Sequence, residues 1–239
     1  SKERIEKLGG KNIYEPGNLK LDAPPLTFDP TKLAEAEGWL AHRQRWLATS
    51  THHGEELQIA QTHIALAEGI DDLLTIIVPR HPQRGDSIRA QLEPLGLRIC
   101  QRSKAEIPDK ACDIYLADTL GELGLFYRLT NIAFIGGSII PHGGQNPIEA
   151  ALIGCAIITG PHVHNFTSVY AHFIDNEAVF QIRDTIELTS TVNRMLQNKT
   201  LTDTLKQKAL QTAQNHGGAN EKTLKILANV FSKQLETGA

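Results

Sequence analysis

The chain has 239 residues, of which 41% are hydrophobic and 21% charged, and a formal net charge of -3. That length can bury a sizeable core and permits one large domain or one domain with extensions. The mixed, near-balanced charge offers no basic stripe for nucleic acid, and the longest apolar runs are strand-sized, well short of a membrane span.

Ser1 to Leu8 reads as the last turns of a helix closed by Gly9 and Gly10. Without an initiator methionine, this opening suggests the later part of a longer protein. Asn12 to Asp22 is a short extended element, and Pro24, Pro25 and Pro30 mark a linker or domain boundary. Leu33 to His42 is a short helix. Trp46 to Ser50 is the first core strand, and Gly54, Glu55 and Glu56 open a helix to about Glu68, its acidic first turn matching the helix dipole. Leu73 to Val78 is a second apolar strand, followed by Pro79-Arg80-His81-Pro82, a helix over Arg84 to Leu95 and a third strand over Leu97 to Cys100.

Ser103 to Lys110 is a polar loop, Ile114 to Ala117 a fourth strand, and Asp118 to Gly121 a turn into a helix over Glu122 to Arg128. The stretch Asn131 to Gly160 then organises the chain. A buried strand, Ile132 to Ile135, ends at Gly136 and Gly137, which implies that something passes close to that backbone. Gly143 and Gly144 follow, then a helix over Pro147 to Ile153 with Asn146 at its cap and Glu149 in its first turn, then a strand over Ala156 to Thr159. A helix near Phe166 to His172 and a strand over Ala178 to Ile182 complete the alternation. Asp184 and Glu187 form a capping box for a helix to Leu196, another helix covers Leu201 to Asn215, and a terminal amphipathic helix carries Leu224, Leu227, Phe231 and Leu235 on one stripe. Strands apolar throughout, alternating with helices, imply an α/β fold: a Rossmann-like parallel sheet with helices on both faces.

Ligands of such sheets lie at the carboxyl ends of the strands. The glycine loop with Ser138 can converge amides on an anion, or can be a tight turn only; it fits neither a Walker loop nor the dinucleotide fingerprint. Glu149 can bind two vicinal ribose hydroxyls or close a capping box on Asn146. Arg80 and His81, held between prolines, are either ligand contacts or a rigid surface turn, and Asp118, Thr119, Gly121 and Glu122 either a second contact or a helix cap. His52 and His53 with Glu55 and Glu56, and separately His162 and His164, lack a third partner at metal-ligand spacing, so no metal is expected. No serine lies in a GxSxG elbow. Cys100, Cys112 and Cys155 form no CxxC pair, which suits buried thiols in a reducing compartment. The terminal stripe either packs on the protein's own domain or docks a partner.

Taken together, STHHGEE, LLTIIVPRHPQR, ADTLGELGLFYRLTNIAFIGGSIIPHGGQNPIEAALIGCAIITGPHVHNF and NHGGAN resemble the 3-deoxy-D-manno-octulosonic acid (Kdo) transferases of lipid A and lipopolysaccharide synthesis. These are inverting glycosyltransferases of the GT-B type. The resemblance implies that residues 1–30 are the tail of an N-terminal domain and linker, 31–215 the Rossmann-like donor domain, and 216–239 a helix crossing back toward the N-terminal domain, which could leave its apolar stripe exposed. It implies that Arg80, His81 and Pro82 contact the cytidine end of CMP-Kdo, with Thr119, Leu120, Gly121 and Glu122 alongside. The amides after Gly137, with Ser138 and Asn146, would hold the phosphate, Glu149 the ribose, and Lys20 would stand near the cleft. Leu120 replaces an expected methionine. The catalytic base belongs to the N-terminal domain, and no segment here matches it. CMP-Kdo is then the donor substrate with no cofactor, a lipid A precursor the acceptor, and the cytoplasmic side of the bacterial inner membrane the location, peripheral or N-terminally anchored. A UDP-sugar GT-B transferase or epimerase and a noncatalytic nucleotide-binding module are the alternatives.

Overall fold

The computed structural model describes residues 2–16, 22, 24–40, 43–215 and 219–237. It divides into two compact units, one of Pro25–Thr212 and one of Ser1–Pro24 with Ala213–Ala239. The larger carries helices α2 (Pro30–Trp39), α3 (Glu55–Ala67), α4 (Gly85–Leu92), α5 (Leu123–Leu129), α6 (Ile148–Ile153), α7 (Thr167–Asp175), α8 (Thr185–Gln197) and most of α9 (Lys199–Asn215). Between them run strands β1 (Arg45–Thr51), β2 (Leu74–Pro79), β3 (Ile99–Gln101), β4 (Ile114–Leu116), β5 (Ile132–Ile135), β6 (Ala156–Thr159) and β7 (Val179–Gln181). The smaller unit holds α1 (Lys2–Lys7) and α10 (Ala219–Thr237).

All seven strands are parallel, in the order β3-β4-β2-β1-β5-β6-β7. Every residue of β2, β5 and β6 is buried, the condition that makes these strands continuous apolar runs in the sequence. Trp46, Ile77, Phe134 and Ile158 form the centre of the core, against Ile59 and Leu66 of α3 and Leu188 and Val192 of α8. From β1 the chain builds to one side through β2, β4 and β3, then returns and builds to the other through β5, β6 and β7. The β1/β5 boundary is therefore the switch point of the sheet, where a crevice opens beyond the carboxyl ends of the strands.

Several boundaries differ from the sequence reading. α2 begins at Pro30, not Leu33, because Asp29 caps it, accepting from Thr31 N at 2.8 Å, and proline at a first helical position has no N–H to lose. The expected helix over Arg84 to Leu95 is α4 flanked by 3-10 turns at Pro82–Arg84 and Glu93–Leu95, since Pro94 removes a donor from the last turn. β3 starts at Ile99, where its pairing with Ile114 of β4 begins. On α10, Leu224, Leu227 and Phe231 are 67%, 44% and 59% exposed, and Leu235 lies outside the side chains described.

Two devices hold the sheet at its ends. At the amino end, the buried Arg43 guanidinium donates to the carbonyls of Leu73 (2.7 Å), Cys112 (2.8 Å), Asp109 (2.9 Å) and Asp72 (3.2 Å). At the carboxyl end, Ser138 Oγ donates to Ile135 O at 2.5 Å and accepts from Gly160 N at 2.8 Å, tying β5 to β6. A Cβ on Gly160 would stand 2.2 Å from the Ser138 carbonyl oxygen, inside backbone that cannot give way. Gly160→Ala should therefore destabilise by roughly 1–3 kcal/mol, read as a lower urea midpoint at unchanged slope.

Candidate functional site

The crevice at the switch point is built around one carboxylate. β1 ends in a bulge between Thr49 and Thr51, with Ser50 in the left-handed region at φ 54°, and Gly54 at φ 96° turns the chain into α3. This places Glu55, fully buried, against the loop that follows β5. Its Oε2 accepts from Gly137 N (2.6 Å) and His52 N (2.9 Å), and its Oε1 from Ser138 N (3.0 Å) and Ile139 N (3.2 Å). Burial pushes the Glu55 carboxyl above its ordinary pKa, and those four N–H groups pull the other way. An arrangement with donors only around both oxygens is one made for the ionised form. Its neighbour Glu56, also fully buried, receives both Arg84 terminal nitrogens at 2.8 and 3.0 Å and Thr51 Oγ1 at 2.9 Å.

The loop over residues 136–147 is closed on itself by Gly144 N to Gly137 O at 2.7 Å, and pinned from outside by Asn165 N to Gly143 O (2.9 Å) and Tyr170 Oη to Gln145 O (2.8 Å). On its outer side the imidazole of His52 stacks on His142 with centroids 3.8 Å apart, meets His81 edge-on at 5.8 Å, and shares a 3.1 Å contact with Gln145 Nε2. Burial, then the charges of His142, His81, Arg84 and Arg80, hold the His52 pKa down at about 4. Glu149 lies half-buried in the first turn of α6, and its carboxylate has no hydrogen-bond partner among the described residues. Burial raises its pKa, opposed by the nearby charge of Arg80. Arg80 and His81 are exposed at the end of β2, and neither side chain hydrogen-bonds within the described residues.

A second cavity, of about 560 Å³, lies at the same edge of the sheet beyond β2, β3 and β4, lined by residues that include Pro82, Asp86, Gln101, Asp118, Thr119 and Leu120. Beside it a space of about 290 Å³ is lined by Phe28, Lys32, Gly121 and Glu122 among others. Among the described residues no group of three or more His, Cys, Asp or Glu is placed to hold a metal ion.

No family model matches the chain. Over 216 residues it is 33% identical to the 3-deoxy-D-manno-octulosonic acid transferase of Haemophilus influenzae, a span of 88% of this chain and 50% of that protein. The crystal structure of the C-terminal CMP-Kdo binding domain of WaaA from Acinetobacter baumannii matches with a TM-score of 0.73 at 32% identity, covering 77% of this chain and 97% of that one. The chain belongs to the Kdo transferase family. It spans about half the length of the curated family member from Haemophilus, at 50%. Sucrose-phosphate synthase from Thermosynechococcus elongatus, 17% identical with a TM-score of 0.55 over 93% of this chain and 51% of that one, shares the fold alone. The Rossmann-like parallel sheet expected from the sequence is thus the half of a GT-B fold found in this family.

Arg80 lies within electrostatic reach of both Glu149 and His52, His81 meets His52 edge-on, and Pro82, Thr119 and Leu120 line the second cavity. Asn146 is half-buried and caps α6, accepting from Ile148 N at 3.1 Å, but Glu149 closes no capping box with it. The expectation that the amides after Gly137, with Ser138 and Asn146, hold a phosphate meets a different geometry: the Ser138 and Ile139 amides, like that of Gly137, are taken by Glu55, Asn146 accepts from Ile148 N, and the Ser138 hydroxyl is fully buried between β5 and β6. What passes close to Gly136 is the backbone of β1, with Ser50 O 2.7 Å and Thr49 O 2.8 Å from a Cβ built there. Glu122 likewise turns inward. Arg102 grips it at 2.6 and 2.8 Å, Thr119 Oγ1 donates at 2.6 Å and Lys32 at 2.9 Å, and these hold its pKa at about 2 against burial. Lys20 lies outside the described residues.

Sequence reasoning weighed His52 and Glu55 only as metal ligands or dipole partners, and passed over His142, Gln145, Arg102 and Gln101. The one available signal for His142 was its place beside Gly143 in the glycine loop.

Glu55→Ala should cost about 3 kcal/mol or more in chemical denaturation, because it orphans buried amides on three consecutive loop residues. The His52 environment sets a pH dependence. Between pH 6.5 and about 4 the unfolded imidazole binds a proton that the folded one refuses, so stability falls on acidification through that window. His52→Gln should flatten that slope in pH-dependent urea titrations.

Proposed function

We propose that this chain is the donor-binding half of an inverting Kdo transferase, which moves Kdo from CMP-Kdo to a hydroxyl of a lipid A precursor and releases CMP. The observation that carries the reading is the unengaged Glu149 carboxylate facing Arg80 at the switch point, in a fold matched by a CMP-Kdo binding domain. Glu149 takes the ribose hydroxyls, as a first-turn carboxylate in such a crevice can. The cytidine lies between Pro82 and the Thr119–Gly121 turn. Arg80 supplies the positive side of the crevice for the phosphate, with His81 and the exposed His142 beside it as hydrogen-bonding groups, in place of the loop amides, while Glu55 and Asn146 fix the loop that presents His142.

In the complete enzyme a carboxylate from an N-terminal domain takes the proton of the acceptor hydroxyl. The acceptor oxygen forms the new bond to the anomeric carbon with inversion, and the bond to phosphate breaks with its electron pair leaving on CMP. Residues 1–30 are the tail of that domain and a linker, residues 31–215 the donor domain, and residues 216–239 a helix that crosses back. No helix among the described residues is long and apolar enough to cross a membrane. The enzyme works at the cytoplasmic face of the inner membrane, and the N-terminal domain docks the lipid acceptor.

Calorimetric titration of the chain with CMP, UMP and AMP tests the reading. Selective CMP binding is expected, with no turnover by the chain alone; transfer without a second domain would overturn the division of labour. Glu149→Ala should weaken CMP binding about tenfold or more while the thermal midpoint stays put. Loss of stability with intact CMP affinity would make Glu149 a helix cap.

A further inference from the structure

A further cavity, of about 350 Å³, opens at the amino end of the sheet, between the start of β1, the segment entering β5, the end of α8 and one face of α9. Its wall holds Arg43, Arg45, Lys199 and Lys206 against a single carboxylate, Asp203. That excess of positive charge stands out in a chain whose formal net charge is -3. Neither arginine forms an ion pair among the described residues, and every hydrogen bond they donate runs to a main-chain carbonyl. Arg43 is committed to the four carbonyls named above. Arg45, half-buried, donates from Nε to Leu129 O and from Nη1 to Leu40 O at 2.9 Å and Arg43 O at 3.3 Å. Its Nη2 makes no hydrogen bond among the described residues and is not closed off from solvent. Burial lowers the Arg45 pKa, opposed by the charge of Glu37.

Lys199, Thr202, Asp203 and Lys206 share one face of α9 at helical spacing, and that face forms one wall. Lys206 Nζ donates to Asn131 Oδ1 at 2.6 Å and stands 3.9 Å from Asp203 Oδ1, while Lys199 holds the other oxygen of Asp203. The Arg45 and Lys206 heads are thus moored on Leu129 and Asn131, residues whose Cα atoms are at most about 7 Å apart. A guanidinium edge and an ammonium so placed suit an oxyanion with several acceptor oxygens and more than one charge. A phosphate monoester has both near neutral pH; a carboxylate has two oxygens and one charge. Independently of the donor reading, we propose that this cavity is a second anion site, which takes a phosphate monoester on Arg45 Nη2 and Lys206 Nζ, with Asp203 as the acid that competes for Lys206. The site lies at the far end of the sheet from the crevice, so its ligand and a nucleotide do not exclude one another.

The test titrates the full chain with inorganic phosphate at an ionic strength held constant with chloride, followed through amide shifts in proton–nitrogen correlation spectra. Saturable shifts at Asn131 and along Lys199 to Lys206 are expected, half-complete at about 1 mM or below. Shifts confined to the surroundings of Arg80 and Gly137, or no saturable shift, would overturn the site, and this arm needs no variant to fold. Lys206→Met should weaken phosphate about tenfold, whereas Asp203→Asn, which removes the competing charge at nearly constant size, should tighten it about threefold. Affinity unchanged in both variants would also overturn the assignment. Vesicles of phosphatidylcholine with and without phosphatidate identify the source of the phosphate. Sedimentation with phosphatidate vesicles that Lys206→Met abolishes marks a lipid headgroup as the ligand, and phosphate binding without sedimentation marks a soluble phosphate ester.

Discussion

Much of the carboxyl edge of this sheet depends on the Glu55 carboxylate. A loop rich in glycine gains no rigidity from its own side chains, and its backbone N–H groups must find acceptors once water is excluded. Glu55 supplies them from the start of α3, more than eighty residues earlier in the chain, with two N–H groups on each oxygen. The glycines are explained by what surrounds them. Gly136 lies under the β1 carbonyls, Gly137 takes a φ of 67°, and Gly143 leaves room for the Asn165 side chain. The loop is thus folded around an anion that belongs to the protein.

The same logic repeats along the edge. Glu56 is gripped by Arg84, Asp118 by Ser103 and Gln101, and Glu122 by Arg102, Thr119 and Lys32. Each of these carboxylates sits at or just beyond a strand's carboxyl end and faces inward, fastening one connection to the next. Glu149 is different, since its carboxylate is left unengaged beside Arg80. The distinction between structural and ligand-facing acids here is one of partners, not of residue type.

That distinction sets what could be read from the chain. Continuous apolar runs exposed the strands β2, β5 and β6, because burial on both faces leaves no polar alternation to blur them. The carboxyl ends of the strands followed as the ligand side from the glycine loop and its helix, and the family from the joint occurrence of VPRHP, the glycine loop and GGQNPIE. The role of Glu55 was hidden. An acid in a first helical turn is fully accounted for by the dipole, and nothing local points to a loop far along the chain. Ser138 misled for the converse reason: a hydroxyl beside glycines reads as a ligand contact until the strand next to it is known to need tying.

The two ends of the sheet are fastened by different chemistry. At the crevice end the fastenings are the Ser138 hydroxyl and inward-facing carboxylates, and beside them stands His52, whose charge changes near pH 4. At the amino end Arg43 is bonded to four main-chain carbonyls, none of which takes up a proton in the working range of a protein. The fold therefore has a chemically responsive rim and an indifferent base. Acidification toward the His52 pKa of about 4 reaches the rim, while the register of β1, β2 and β4 is kept from below.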